Sequence, residues 1–326
     1  VVPVGITREG RWLAGGDPMA ALVAESPMFH LQAGEQTSPP SPNGSAVAAV
    51  GAEALMPGGV TEAVDIVFPA LHGPMGEDGT LQGMLTLAGI PFVGSGVLGS
   101  AVAMDKAMTK TVLAQAGIPQ VPWILVRGRD IEREPEAVER RVAEEIGFPC
   151  FTKPANLGSS VGISKVHDAG ELRDALREAA HFDRRVVVER AVTGRELELS
   201  VLGNDEPIVS VAGEIRPRGE FYDYNAKYID DTAELIVPAA LAPAHLRQLQ
   251  DYAARAFLAL DLAGLARVDF FLENGTGAIY LNEVNTLPGF TSISMYPMLW
   301  EASGIALPEL VDRLIELALE RHGKRR

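Results

Sequence analysis

Short apolar runs bounded by glycine and proline alternate with stretches whose apolar residues recur every three or four positions. That is the pattern of strands alternating with helices. Residues 1–6 read as a strand, followed by a turn at Arg8-Glu9-Gly10. The apolar run 64–68 reads as a buried strand, 80–88 as a helix and 91–94 as a second short strand. Strand, helix and strand in that order imply parallel α/β construction. Residues 100–116 read as one helix stopped at Gly117, with Pro119 beyond. A strand at 121–127 and a charged amphipathic helix at 136–146 follow. Strands at 151–154, 161–166 and 185–189, with a helix at 168–180, complete a compact α+β unit. From about Thr193 the chain is rich in strands, with helices at 243–260 and 307–319. The segment 36–45, rich in serine and proline, reads as a surface loop or linker. No internal repeat is visible.

These elements suggest an α/β protein. A length of 326 residues fits two or three domains with ample core. No apolar run approaches the length of a membrane span. The net charge of −15 argues against nucleic acid or an anionic membrane as the main partner. It leaves room for a basic pocket inside an acidic shell. The single cysteine, Cys150, rules out an intramolecular disulfide and sits in an apolar stretch that reads as core.

Three constellations carry candidate chemistry. In Lys153-Pro154-Ala155-Asn156-Leu157-Gly158-Ser159-Ser160-Val161-Gly162 a lysine ends a strand and a glycine-serine loop follows. Backbone N–H groups of such a loop can wrap phosphate oxygens while the lysine supplies positive charge. An ordinary turn with solvated serines has the same composition. The second constellation is the pair Arg267-Val268-Asp269 and Glu283-Val284-Asn285, joined through Asn274-Gly275-Thr276-Gly277. Side chains alternate along strands, so a three-residue turn of Gly275, Thr276 and Gly277 places Asp269 opposite Glu283 and Arg267 opposite Asn285. Opposed Cβ atoms would lie roughly 5 Å apart, an oxygen-rich patch suited to magnesium. A two- or four-residue turn would separate the acids onto opposite faces. An arginine–carboxylate network without a metal is the other reading. The third is Thr286-Leu287-Pro288-Gly289-Phe290-Thr291-Ser292-Ile293-Ser294, where Gly289 permits close approach to a backbone N–H and the hydroxyls offer donors.

Together these stretches resemble the D-Ala–D-Ala ligases, of the ATP-grasp type, over nearly the whole chain. The resemblance is carried by Leu71-His72-Gly73-Pro74-Met75-Gly76-Glu77-Asp78-Gly79-Thr80-Leu81-Gln82-Gly83, Met104-Asp105-Lys106, the 153–162 loop, Phe221-Tyr222-Asp223-Tyr224-Asn225-Ala226-Lys227-Tyr228, Arg267-Val268-Asp269 and Glu283-Val284-Asn285-Thr286. It implies three domains, 1–104, 105–192 and 193–326, with nucleotide binding between the central and C-terminal ones. Lys106 and Lys153 would hold the phosphates of ATP, Glu189 would meet the adenine and Glu196 the ribose. Gly158, Ser159 and Ser160 would cover the phosphates, and Lys227 would reach the terminal one. Asp269, Glu283 and Asn285 would ligate two magnesium ions, with manganese and a monovalent cation as further options. His72, Arg267, Gly289 and Ser294 would line two D-alanine sites, which Ser159 and Tyr228 help to close. A lid at 222–228 would exclude water.

The implied reaction passes through an acyl phosphate, with Arg267 and the Gly289 N–H stabilising the tetrahedral oxyanion. It implies a cytoplasmic enzyme of peptidoglycan precursor synthesis, expected as a homodimer. A sister ligase using D-lactate or D-serine is the nearest alternative, and a non-catalytic nucleotide-binding protein a more distant one. The Lys227-Tyr228 pair favours D-alanine. The family normally opens with a further strand, glycine-rich turn and helix bearing a glutamate that contacts the first D-alanine. A unit of roughly 30 residues is therefore expected ahead of Val1, and no residue of this chain takes that glutamate's role.

Overall fold

The computed structural model describes residues 1, 3–6, 12–14, 48–50, 64–158, 161–216, 234–291 and 293–323. The expected turn at 8–10, the linker at 36–45, Ser159, Ser160 and the 222–228 lid with Lys227 and Tyr228 lie outside these residues. The chain divides into two units. The first, residues 1–65 with 88–90, contains an antiparallel sheet of β1 (Val4–Ile6), β2 (Trp12–Ala14) and β3 (Ala48–Val50).

The second unit, residues 66–87 with 91–326, carries two larger antiparallel sheets. Its first part pairs Val67 with Phe92 in a parallel bridge, with α1 (Thr80–Leu87) between them. The parallel reading holds here, but the expected strands at 64–68 and 91–94 shrink to that bridge. Pro69 and Pro91 flank it and cannot donate to a longer ladder. The expected helix at 100–116 is two helices, α2 (Val97–Met104) and α3 (Lys106–Gln115). Asp105 breaks them apart. Its backbone is extended (φ −89°, ψ 102°) and its carboxylate accepts the Met108 N–H at 3.1 Å, capping α3.

A four-stranded sheet follows, ordered β4 (Trp123–Arg127), β7 (Arg185–Arg190), β5 (Cys150–Pro154), β6 (Ser164–Val166). One face packs on α4 (Gly128–Arg133), α5 (Pro135–Glu145) and α6 (Ala169–Phe182). Leu172, Ala175, Leu176 and Ala179 recur along one side of α6 and join Val186, Val188 and Cys150 in this core. Cys150 is fully buried, and that burial pushes its thiol pKa up to about 11. The opposite face presents Trp123, Leu125, Lys153, Val187 and Glu189, and α3 lies against it through Ala107.

The five-stranded sheet runs β10 (Glu234–Ile236), β9 (Ile208–Arg216), β8 (Gly194–Gly203), β11 (Gly264–Glu273), β12 (Ile279–Asn285). Leu197, Leu199, Val268, Phe270 and Leu281 bury one face against Leu249, Ala253, Ala256 and Phe257 of α7 (Pro243–Ala259). The alternate residues of the same strands form the other face. Two helices close the unit, α8 (Met295–Ala302) and α9 (Leu307–Gly323). No helix among the described residues is long and apolar enough to cross a membrane.

Candidate active site

The row Glu198, Asp269 and Glu283 crosses three strands of the larger sheet. Asp269 pairs with Glu198 on β8 and with Glu283 on β12, while Arg267 pairs with Ser200 and Asn285. Directly paired residues of antiparallel strands share a face, so the acids and the guanidinium project to one side. The register is the expected one, but its cause differs. The turn hydrogen-bonds Glu273 N–H to the Ala278 carbonyl and Gly277 N–H to the Glu273 carbonyl, so four residues, 274–277, make the reversal. By itself that turn would put the acids on opposite faces. Phe270 pairs with Leu281 whereas Asp269 pairs with Glu283, so Asn282 is an unpaired extra residue. This β-bulge resets the alternation just before the acids are reached.

The Arg267 guanidinium is forked onto Asp269, with Nε to Oδ1 and Nη2 to Oδ2 both at 2.8 Å. Nε also lies 3.1 Å from Glu198 Oε2. Burial works against the charged guanidinium, but Asp269 and then Glu198 overcome it and hold its pKa well above the usual arginine value. Nη1 lies outside the fork, so the group keeps donor capacity toward a ligand. Glu198 went unassigned in the sequence. The alternation Glu196-Leu197-Glu198-Leu199-Ser200 could have found it, since it puts Glu198 on the polar face beside Glu196.

This face opens into a cavity of about 460 Å³, lined by His72, Glu77, Lys106, Gly158, Arg267, Glu283, Asn285, Gly289 and Ser294 among others. Eight expected residues are thus gathered from segments far apart in sequence. Lys106 Nζ donates to the Leu157 carbonyl at 2.5 Å, which places the lysine at the start of the glycine-serine loop. The loop that bears His72 is held by its own polar groups: Asp78 accepts the Met75 and Thr80 N–H groups, and Gln82 donates to the Gly76 carbonyl. Partial desolvation lowers the pKa of His72, offset by a hydrogen bond with the Leu287 backbone and reinforced by the nearby Arg267. Glu77, five residues on, accepts the Gly73 N–H and had no assigned role. Burial pushes its carboxyl up to about 7; the Gly73 hydrogen bond opposes this and the charge of Glu283 adds to it.

At the far lip, Ser294 Oγ accepts the Thr291 N–H at 3.0 Å and lies 2.8 Å from the Thr291 hydroxyl. A Cβ on Gly289 would come within 2.7 Å of that Oγ, so only glycine allows this approach. Asn285 Oδ1 accepts the Leu287 N–H at 2.9 Å and fixes the chain leaving β12.

Lys153 and Glu189 do not line this cavity. They lie on the α3-facing side of the four-stranded sheet, where Lys153 and Lys110 both ion-pair with Glu189, Lys110 at 3.0 Å. Burial favours the neutral Glu189 acid, but the two ammonium groups prevail and hold its pKa down to about 2. Lys110 was not foreseen; its position four residues after Lys106, on the same side of a helix, was the available signal. Glu196 pairs with Phe271 and Ile215 and is half-buried on the cavity-facing side of β8.

A metal fits this donor set in kind. Asp269, Glu283 and Asn285 offer oxygen ligands on one face, as a hard divalent cation requires. Among the described residues no three His, Cys, Asp or Glu groups converge as a ligand set, and both Asp269 carboxylate oxygens accept from Arg267.

The architecture is that of the ATP-grasp class, and solved structures share it over nearly the full chain. The D-alanine-D-alanine ligase from Coxiella burnetii matches with a TM-score of 0.77 and 36% identity, covering 99% of this chain and 85% of that one. The VanG D-Ala:D-Ser ligase from Enterococcus faecalis matches with a TM-score of 0.80 and 33% identity, covering 97% and 89%. Family models for the D-ala D-ala ligase N-terminus and C-terminus match residues 1–95 and 112–316. The D-alanine--D-alanine ligase of Geobacillus kaustophilus is 50% identical over 322 residues, 99% of this chain and 86% of the relative. That of Deinococcus radiodurans is 52% identical over 322 residues, 98% and 89%. The chain belongs to the D-Ala–D-Ala ligase family.

Proposed function

We propose that this protein joins two D-alanine molecules into D-alanyl-D-alanine at the expense of ATP. The observation that carries the reading is one cavity joining the Lys106 side of the phosphate loop to Arg267, Gly289 and Ser294. A carboxylate and a triphosphate brought together repel one another, so charge neutralisation is the first task. Lys106 and Lys153 supply positive charge to the phosphates, with Lys227 as the third cation. Asp269, Glu283 and Asn285 are the residues that would hold magnesium. When bound, that cation neutralises developing charge on phosphate oxygens.

The carboxylate of one D-alanine takes the terminal phosphoryl group, releasing ADP and leaving an acyl phosphate. The amine of the second D-alanine attacks the carbonyl, loses a proton and expels inorganic phosphate. Arg267 and the Gly289 N–H stabilise the oxyanion between these events. His72 and Ser294 position the substrates, while Ser159, Ser160 and Tyr228 close the site against water that would destroy the acyl phosphate. Glu189 meets the adenine and Glu196 the ribose. A homodimer and a cytoplasmic setting, where ATP is available, belong to the same reading. Manganese in place of magnesium and a monovalent activator are its open variants.

D-alanine-dependent release of ADP, with the dipeptide identified as product, tests the reading. The likeness to a D-Ala:D-Ser ligase makes competition among D-alanine, D-serine and D-lactate part of the same assay. A dominant mixed product would move the protein to a sister activity. ADP release that ignores D-alanine would remove it from the ligases.

A further inference from the structure

Glu189 has one more counter-charge than it needs. Its carboxylate is buried, with Lys110 against one oxygen and Lys153 against the other. A single ammonium would neutralise it, and burying a second costs desolvation energy. The two lysines are not equivalent. Lys110 comes from α3 and its side chain is 3% exposed, whereas Lys153 is the penultimate residue of β5, beside the phosphate loop, and is 12% exposed. Lys110 is buried on the same helix as Ala107, which packs on the apolar cluster of Ala155, Val187, Trp123 and Leu125. It sits one helical turn from Lys106, which reaches the cavity.

We infer that Lys110 is the resident counter-ion of Glu189, a positioning residue that fixes the carboxylate for the nucleobase while Lys153 leaves it for phosphate. The inference rests on the reading of Glu189 at the adenine and Lys153 at the phosphates. An ionised carboxylate is an acceptor only, so it selects a base that presents an amino group. Once Lys153 turns away, a buried Glu189 without Lys110 would take up a proton or swing out, and that selection would fade. With Lys110 in place the carboxylate stays charged and oriented in both states. The pair therefore sets base preference and also lets one lysine serve two partners in turn.

The test compares binding of a non-hydrolysable ATP analogue with its counterpart lacking the 6-amino group, by calorimetry on the intact protein. Hydrogen bonds to a charged group predict that the wild type prefers the amino-bearing nucleotide by roughly tenfold or more. In K110M the preference should fall below about threefold, and in the double variant K110M/E189Q it should fall no further. If the wild type does not discriminate, Glu189 is not at the base and the underlying reading falls with the inference. If the wild type discriminates, K110M does so equally and only the double variant fails, the adenine reading stands and the role of Lys110 is overturned. A wild-type structure with the nucleotide bound decides the matter even if K110M does not fold. Lys110 should remain on Glu189 with Lys153 on phosphate; Lys153 still paired to Glu189, or Lys110 withdrawn, would overturn the inference.

Discussion

Asp269 faces Glu283 across β11 and β12 only because Asn282 bulges out between the four-residue turn and the acids. The two carboxylates have different surroundings despite this symmetry of position. Asp269 is buried and held in a fork by Arg267, whereas Glu283 is half-buried and lines the cavity. The cavity-facing carboxylate and the arginine-held carboxylate thereby lie on two different strands.

Asp269→Asn and Glu283→Gln should therefore separate two effects. Both remove a negative donor and should raise the magnesium concentration needed for half-maximal activity by about tenfold or more. Only Asp269→Asn weakens the fork. Loss of a buried charge partner costs about 3–5 kcal/mol, and Arg267 keeps Glu198, so a loss of about 1–3 kcal/mol is expected. Magnesium titration of ADP release and urea unfolding would read the two effects. An unchanged titration in both variants would remove the hairpin from metal binding.

Arg267→Ala should cut turnover about 100- to 1000-fold, the usual effect of losing one oxyanion donor, with little change in nucleotide binding. Arg267→Lys should recover little, because an ammonium cannot reproduce the planar fork onto Asp269 while also offering a donor to the cavity. Steady-state rates alongside nucleotide affinity would check this. Near-normal turnover in either variant would confine Arg267 to holding the acids.

The large elements were readable because their signals are local. The period-3.6 stripe of α6, the Arg267-Val268-Asp269-Phe270 alternation of β11 and the glycine just beyond some helices, such as Gly117 after α3, lie in contiguous residues. The acid pairing was anticipated through an incorrect turn length, and Asn282 made good the difference, since a bulge leaves no distinctive residue type behind. Helix α8 escaped because Met295, Tyr296, Pro297, Leu299 and Trp300 are all buried, which erases amphipathic periodicity. Lys110 and Glu198 escaped for another reason: each acts on a partner brought near by folding alone, Glu189 by way of β7 and Arg267 by way of β11.

Gly289→Ala should damage the substrate site with little effect on folding. The new methyl would meet Ser294 Oγ at 2.7 Å and push apart the Thr291–Ser294 contacts that shape the cavity lip. The expected result is a rise of about tenfold or more in the KM for D-alanine, because misplacing positioning groups by about 1 Å costs on that scale. The melting temperature should move by only a few degrees, since Gly289 is outside the hydrophobic cores. An unaltered KM would show that this lip does not touch the substrate.

Two carboxyls should give the stability curve opposite slopes on either side of weakly acidic pH. Glu189 is held down to about 2 in the folded protein against an ordinary value of 4.5, so the folded state binds its proton less readily than the unfolded chain. Its contribution is full above about pH 4.5 and is lost as pH falls toward 2. Glu77 is pushed up to about 7, so its contribution is full below about pH 4.5 and is lost as pH rises through 7. Chemical unfolding from pH 3 to 8 should thus show stability falling toward both ends. Glu77→Gln, which keeps the shape of the neutral acid, should flatten the decline between pH 5 and 8 and leave the acid limb unchanged. A wild-type curve still rising between pH 5 and 8, or a Glu77→Gln curve of the same slope, would mean that Glu77 is charged in the folded protein across that range.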